Sequence, residues 1–437
     1  MERKIKIGVL GGFRGNSMIS FCKVAPNVEL VAICDFSPEV LTAQKLLAEE
    51  DGYTGITFYS SFDEFIKHDM DAVVLSNYAN EHAPYAIRAM KAGKHVFSEC
   101  VPVQTMKEAV ELVETVEETG MIYCFAENYC YFPAVREMKK LYGENKIGEF
   151  EYGEAEYIHN CEPIWPAITQ GNPNHWRNNM YSTFYCTHSI GPIIHATGLR
   201  PVKVIGLEGT KNERNLAGGA KFGQFGMALI TLENGAILKA INGGLYVNSV
   251  WYSMYGSKGT MECARNIPRT GGTNRIYVRA DKNAGDYAEP PTESYEPKGE
   301  FDTEAFDYGH GSADYYCMWN FVEKLRGNPD ADTIDVYQAL DMFLPGLFAH
   351  RSILAGNIPF DIPNLRNKQE REAWRTDVAC TDPKVAGEQL LPFGASGNPE
   401  IEPEVYENVK RRWQNEFQSD NPKNYRAKMF KKVFKVK

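Results

Sequence analysis

Two groups of residues in the 437-residue chain have the types and spacing of a reaction centre. In Tyr181-Ser-Thr-Phe-Tyr185-Cys-Thr187-His188-Ser-Ile-Gly191-Pro192, Tyr185 and His188 stand three apart. If the segment is helical they share a face, and a phenol and an imidazole then meet one substrate, as proton transfer requires. The alternative is a His and a Tyr that satisfy each other in the core. The second group is Gly11-Gly12-Phe13-Arg14-Gly15. Gly11, Gly12 and Gly15 let the backbone approach a pyrophosphate, and a following helix offers its first N–H groups to the phosphate charge. Phe13 stands where the second glycine of G-x-G-x-x-G is expected, so the glycines alone also fit a structural turn. Asp35 follows Gly11 by 24 residues and ends the second apolar run. A carboxylate there accepts the ribose hydroxyls of NAD and repels the 2′-phosphate of NADP, although a lone Asp after a strand also serves as a helix cap.

These residues need strands to carry them. Lys4–Leu10 is an apolar, β-prone run stopped by the glycine turn, and Val28–Asp35 is a second, followed by Ser37-Pro38 as cap and first turn of a helix closing near Gly52. Asp71–Asn77 leads into a helix capped by Asn80, and Lys94–Glu99 is the next run. Thr105 and Glu108 have capping-box spacing ahead of Met106, Ala109, Val110, Val113 and Val116, and Met121–Glu127 closes the series. Alternating strands and helices of this length predict a doubly wound parallel sheet, the Rossmann arrangement, over residues 1–127, with ligands at the strand ends. Candidates at those ends are Phe13, Arg14, Ser76, Asn77, His82, Glu99, Cys100, Glu127 and Asn128; each can also be mere capping. Residues 128–363 change to an alternating strand, Glu149–Tyr157, and a hairpin turning on Asn234-Gly235. This predicts an α+β substrate domain with an open-faced, mainly antiparallel sheet. A Gly-, Pro- and Asn-rich stretch, 266–300, reads as a long loop before helices at 313–325 and 335–354, and 364–437 as a tail packed on the surface.

Composition narrows the class. The chain is 43% hydrophobic, 12% aromatic and 24% charged, enough to bury large cores. Lys plus Arg is 47 against 57 Asp plus Glu, a formal charge of −10, which repels nucleic acid. The basic run 426–437 reads as a solvated terminal helix or tail. No window has the roughly 18 apolar residues of a membrane span, and the start lacks a signal-peptide pattern. Ten scattered cysteines without a Cys-x-x-Cys pair fit free thiols. The expected setting is cytoplasmic, with no membrane or nucleic-acid partner.

In order, the glycine turn, Ala92-Gly93-Lys94-His95-Val96 and Asp335-Val-Tyr-Gln-Ala-Leu-Asp341 resemble the Gfo/Idh/MocA family of NAD(P)-dependent sugar oxidoreductases, over about residues 4–363. That family usually carries Glu-Lys-Pro after the fifth strand, with the lysine as acid/base. This chain reads Glu99-Cys100-Val101, and a thiol does not replace an ammonium donor. The segment Tyr185-Cys-Thr-His188-Ser-Ile-Gly-Pro192 is similar to the Tyr-x-Thr-His-x-x-Gly-Pro motif of the NAD-dependent α-N-acetylgalactosaminidases (glycoside hydrolase family 109), a branch that also lacks the lysine. Glu127-Asn-Tyr129-Cys-Tyr, Gly153–His159 and Gly309-His310-Gly311-Ser-Ala-Asp314-Tyr315 are similar to its other signatures.

The resemblance implies an enzyme on carbohydrates, a hydrolase rather than a net oxidoreductase. NAD would stay bound and oxidise C3 of the sugar transiently, the C1–O bond would eliminate, water would add and C3 would be reduced again. Tyr185 or His188 would be the base at C2. Glu99 would sit beside the nicotinamide or substrate, with Asn77, His82 and Asn128 positioning them. Glu127, Tyr129, His159, His175, Trp176, Arg177, Thr187 and His310 are candidates for the sugar pocket, aromatic faces stacking on the ring and Arg or His donating to hydroxyls or an anionic group. A metal held by His159, His188 and His310 lacks a His-x-x-x-His helix, and none is expected. A conventional sugar, inositol or glycoside dehydrogenase releasing NADH and a non-catalytic NAD- or sugar-binding sensor remain the rivals. An open sheet needs covering, so a homodimer or homotetramer is expected.

Overall fold

The computed structural model describes residues 3–210, 212–265, 269–280, 290–302, 309–311 and 313–418. Six parallel strands, β1 (Ile5–Leu10), β2 (Val28–Cys34), β3 (Thr57–Tyr59), β4 (Ala72–Leu75), β5 (His95–Ser98) and β6 (Tyr123–Phe125), form a sheet of order β3-β2-β1-β4-β5-β6. The chain reverses its direction across the sheet between β1 and β4. A ligand crevice opens at such a switch point, outside the carboxyl ends. The near-continuous burial of β1, β2 and β4 follows from helices on both faces. Ser37 caps helix Pro38–Glu50, and Thr105 with Glu108 completes a capping box on helix Met106–Thr119. Two details correct the sequence reading. β3 lies in a stretch assigned no strand, since three residues leave no periodicity to detect. Asn80 does not cap the next helix; it lies in a short 3₁₀ turn, Ala79–Glu81, and donates to Asp382, while the helix runs His82–Lys91.

The second sheet has nine strands: β7 (Phe150–Ile158), β8 (Pro201–Glu208), β9 (Phe225–Leu232), β10 (Ile237–Gly243), β11 (Ser249–Gly256), β12 (Gly259–Cys263), β13 (Ile276–Ala280), β14 (Glu293–Tyr295) and β15 (Phe360–Asp361). Their order is β14-β13-β12-β11-β7-β10-β9-β8-β15, antiparallel except for the β7/β10 pair. The hairpin at Asn234-Gly235 joins β9 to β10. β13, β14 and a 3₁₀ segment, Arg269–Asn274, occupy parts of the stretch read as a loop, because Gly-rich flanks hid a five-residue alternation. Helices Thr187–Thr197 and Val336–Leu354 pack on one face. The other face presents Ile205, Met227, Leu229 and Ile241 half-buried and Leu207 and Ile237 exposed.

The tail is held to the body by ion pairs. Arg371 is 1% exposed, bonds both oxygens of Glu117 on helix Met106–Thr119 at 2.8 and 2.5 Å, and donates to the Leu365 carbonyl. Arg351 likewise grips Asp377 with two bonds. Helix Pro403–Gln418 follows, and the basic run 426–437 lies outside the described residues. No helix among the described residues is long and apolar enough to cross a membrane.

Candidate active site

Gly11 ends β1 at a φ of 94°, and a Cβ there would overlap the Ser76 carbonyl at the end of β4. A Cβ at Gly15 would overlap the Ser76 hydroxyl and the Gly11 carbonyl. The turn is therefore glycine by necessity, drawn tight by Ser76, whose Oγ donates to the Leu10 and Gly11 carbonyls. Phe13 packs against Ala43 of helix Pro38–Glu50, which explains the irregular glycine spacing. Helix Asn16–Val24 starts at Gly15 without a side-chain cap, so its first N–H groups face the crevice unclaimed by a side chain. Asp35 accepts from the N–H groups of Gly12 and Ser37, each at 2.8 Å, so the acid is fixed to the turn it serves. Burial raises its pKa, and the two N–H donors partly counter that.

The crevice continues along the ends of β4, β5 and β6. Asn77 Oδ1, Glu99 Oε1 and Asn128 Oδ1 are buried there without a hydrogen bond. Arg14 Nη2 is 2.6 Å from Glu99 Oε1, an ion-pair contact but not aligned as a hydrogen bond. Burial pushes the Glu99 carboxyl up to about 7, with Arg14 opposing and Asp314 reinforcing the rise. Asp314 also takes Asn128 Nδ2 at 2.7 Å, His310 Nδ1 at 3.1 Å and Arg14 Nη1 at 3.4 Å. Burial opposes its ionisation, but Arg14 and His310 prevail and hold it well below the usual range. Arg14 is thus spent on two carboxylates. His82 bonds the Val101 carbonyl at 3.0 Å, and burial lowers it to about 4, so it is a neutral brace under the Cys100–Val101 segment. Orphaned acceptors beside a side-chain-free cradle, with an acid poised for ribose hydroxyls, fit NAD.

At the centre, Glu127 Oε1 lies 2.5 Å from His188 Nδ1. Glu127 is fully buried and also accepts the Cys100 thiol at 3.2 Å and the Tyr129 N–H at 3.3 Å. Burial alone would raise its pKa; His188, Thr187 and Cys100 outweigh it and hold the carboxyl below its usual value. An ionised carboxylate at Nδ1 assigns the proton to Nδ1 and the lone pair to Nε2, the tautomer of a base. Burial and Glu127 push the Cys100 thiol well above its ordinary value, which leaves it a neutral donor. The sequence supplies this closeness. A Cβ at Gly191 would meet Glu127 Cγ at 2.8 Å, and Pro192 has no N–H for the His188 carbonyl four residues back, which instead accepts the Tyr252 hydroxyl at 2.6 Å. Tyr129 stacks on the His188 ring with centres 4.1 Å apart, and Tyr185 meets it edge-on at 4.8 Å.

Tyr185 precedes the helix, which starts at Thr187, so the expected shared helical face is replaced by a turn that brings the rings together. Burial raises the Tyr185 pKa, with Glu99, Glu127 and Cys100 adding to it against Arg177, so it stays a phenol. Tyr157, His159, Arg177 and Tyr185 line a cavity of about 100 Å³ that is partly open to solvent. Arg177 lies 4.5 Å from the Trp176 ring centre and 4.8 Å from that of Tyr185. Other sugar-pocket candidates stand back from it. Glu127, Tyr129 and Thr187 are buried behind His188; His175 is buried and accepts the Arg177 N–H; His310 belongs to the Asp314 group. His159, His188 and His310 do not converge on a common point. Among the described residues the metal-ligand types that do are Cys100, Glu127 and His188, spaced as hydrogen-bond partners. Sequence reasoning gave no role to Asp314 or Tyr157, although Asp314 follows His310 by four residues and Tyr157 shares strand parity with His159.

Residues 5–127 match the model of an oxidoreductase family with an NAD-binding Rossmann fold, the Gfo/Idh/MocA family. Over 87% of both sequences the chain is 25% identical to a glycosyl hydrolase family 109 protein of Saccharopolyspora erythraea. Its fold is similar to that of myo-inositol 2-dehydrogenase from Lactobacillus plantarum (TM-score 0.63, 19% identity, 83% of this chain and 100% of that one). A dehydrogenase from Bordetella pertussis, crystallised with NADH and UDP-GlcNAcA, gives a TM-score of 0.64 at 20% identity, over 83% of this chain and 99% of the other.

Proposed function

We propose that this chain, which through residues 5–127 belongs to the Gfo/Idh/MocA family and uses NAD, hydrolyses glycosides with no net redox change. The observation that carries the proposal is the Glu127–His188 pair, with the Tyr185 ring set edge-on against the imidazole. When bound, NAD⁺ supplies a reversible hydride acceptor at C3 of the sugar, held by the Gly11–Gly15 turn, Asp35 and the crevice at Asn77, Glu99 and Asn128. Every other step falls to side chains. Glu99, near neutrality in its titration, takes the C3 hydroxyl proton and later returns it. A ketone at C3 acidifies the C2 proton. His188 Nε2 removes it, and Glu127 stabilises the imidazolium through Nδ1–H. The C1–O bond breaks, and Tyr185 donates to the departing oxygen. Water then adds at C1 and gives its proton to the Tyr185 phenolate, His188 returns its proton to C2, and both side chains regain their starting states. Paired carboxylates of the ordinary glycosidase kind are not required.

A panel of aryl glycosides tests this. Aglycone release with deuterium incorporation at C2 and no accumulating NADH supports hydrolysis; stoichiometric NADH without cleavage overturns it in favour of a dehydrogenase at the same site. Half-buried Ile205, Leu229 and Ile241 on the open sheet face support association through that face, and light scattering showing only monomer refutes it.

A further inference from the structure

The cavity beside Tyr185 extends past the reaction centre, and its lining changes character along its length. Tyr157, His159, Arg177 and Tyr185 form its inner end, against His188. Further out the wall is apolar. Trp165, Ala220 and Phe222 make a small core of their own, with Met180 packed against it. The C-terminal helix Pro403–Gln418 closes this end with Val409 and Arg412. That helix is seated deliberately: Tyr406 donates to the Gly219 carbonyl at 3.1 Å, a Cβ at Gly171 would overlap the Tyr406 carbonyl, and Val409 is 1% exposed. Three guanidiniums, Arg177, Arg214 and Arg412, line the cavity against one carboxylate, Glu162. Arg214 is engaged by Glu162 and the Gly244 carbonyl, whereas no described carboxylate lies within ion-pair distance of Arg177 or Arg412.

From this we infer a leaving-group subsite, walled by the C-terminal helix, that takes an aromatic or otherwise apolar aglycone bearing an anionic group. The inference rests on the hydrolytic reading above. Its chemistry is stated by the wall: sugar hydroxyls do not call for a Trp-Phe-Met surface, and uncompensated guanidiniums favour a carboxylate, sulfate or phosphate on the occupant. Placement follows from continuity, since Tyr185, the donor to the departing oxygen, belongs to both the reaction centre and this cavity.

The test separates the subsite from the reaction. Titration calorimetry of the NAD-loaded full chain with 4-hydroxybenzoate and with its neutral counterpart 4-hydroxybenzamide should show the carboxylate bound about tenfold more tightly, the size of one well-placed charge contact. Arg412→Glu, an exposed substitution, should abolish the preference without lowering the melting temperature. A second arm compares 4-carboxyphenyl with phenyl glycosides, where kcat/KM should follow the same order. Equal affinities, or a preference untouched by Arg412→Glu, overturn the subsite. Carboxylate-selective binding without cleavage of any glycoside would leave an anion-selective pocket but remove its leaving-group role, and the hydrolytic reading falls separately on the C2 exchange result.

Discussion

Glu127→Gln probes the base directly. The substitution keeps shape and removes the charge 2.5 Å from His188 Nδ1, in a position with no exposure. At an effective dielectric near 20, two unit charges at that distance attract by about 7 kcal/mol. Cys100, Thr187 and the Tyr129 N–H share the carboxylate, so His188 receives only part of this; about 4 kcal/mol is the corresponding expectation, or about a 10³-fold loss in kcat. The amide also allows the wrong tautomer, because its NH₂ can face Nδ1 and transfer the imidazole proton to Nε2. The assay follows aglycone release and C2 deuterium exchange together, with NAD retention and melting temperature as controls. Both rates should fall in parallel while NAD stays bound. A folded, NAD-loaded Glu127→Gln enzyme that keeps more than about a tenth of its turnover would refute the dyad, since no other described carboxylate contacts His188 Nδ1.

Asp35→Ala removes the acceptor of the Gly12 and Ser37 N–H groups together with the proposed ribose contact; NAD affinity measured by fluorescence titration should fall by about 10- to 100-fold, and an unchanged affinity places the ribose elsewhere. Arg371→Met should lower the melting temperature and loosen the tail, because Glu117 loses a two-bond partner; at 30% exposure of that carboxylate the cost is about 1–3 kcal/mol, readable by denaturant unfolding. The same pair carries a pH signature. Arg371 bonding lowers Glu117 to about 2, so its stabilisation is fully present above the ordinary carboxyl value near 4.5 and disappears as pH falls towards 2, an acid-limb slope that Arg371→Met should flatten. Cys100→Lys sets an ammonium beside Glu127 and should abolish C2 exchange; exchange at the parent rate would show that Glu127 is not reserved for His188.

The Rossmann half was legible because its signals are local. Apolar runs, Ser37-Pro38, the Thr105/Glu108 capping box and the acid at Asp35 each act within a few residues of where they stand. At the candidate site the residue types were legible, but not the contacts between them. Spacing singles out Tyr185 and His188, yet the partner of His188 Nδ1 is Glu127, 61 residues earlier in the chain, brought close past a glycine at 191 that matters only once Glu127 and helix Thr187–Thr197 are packed together. Ser76 and His82 stand at the strand ends as expected but spend their polar groups on the protein, on the glycine turn and on the Val101 carbonyl, while Asn128 gives its Nδ2 to Asp314 and keeps only Oδ1 free for the crevice. How the tail is anchored was not legible, for the complementary reason. A buried Arg371 reads as a surface charge until its partner Glu117, 254 residues away, is known.

The residue at position 100 ties these observations together. A lysine there would stand within reach of Glu127, and an ammonium would satisfy a buried carboxylate better than a thiol does. Glu127 would then be compensated by that cation, leaving the imidazole of His188 with weaker support for the positive charge it gains on taking a proton. With cysteine the neighbour is neutral, because burial and Glu127 itself suppress the thiolate. It donates one weak hydrogen bond and leaves the carboxylate's charge to His188. On the proposed hydrolytic reading, a cysteine rather than a lysine at position 100 goes with a proton-transfer group on helix Thr187–Thr197, beside the Tyr185 cavity, and not at the end of β5. That is the placement expected when the proton to be moved is no longer the hydroxyl proton of an oxidised carbon alone but also the C–H proton next to it.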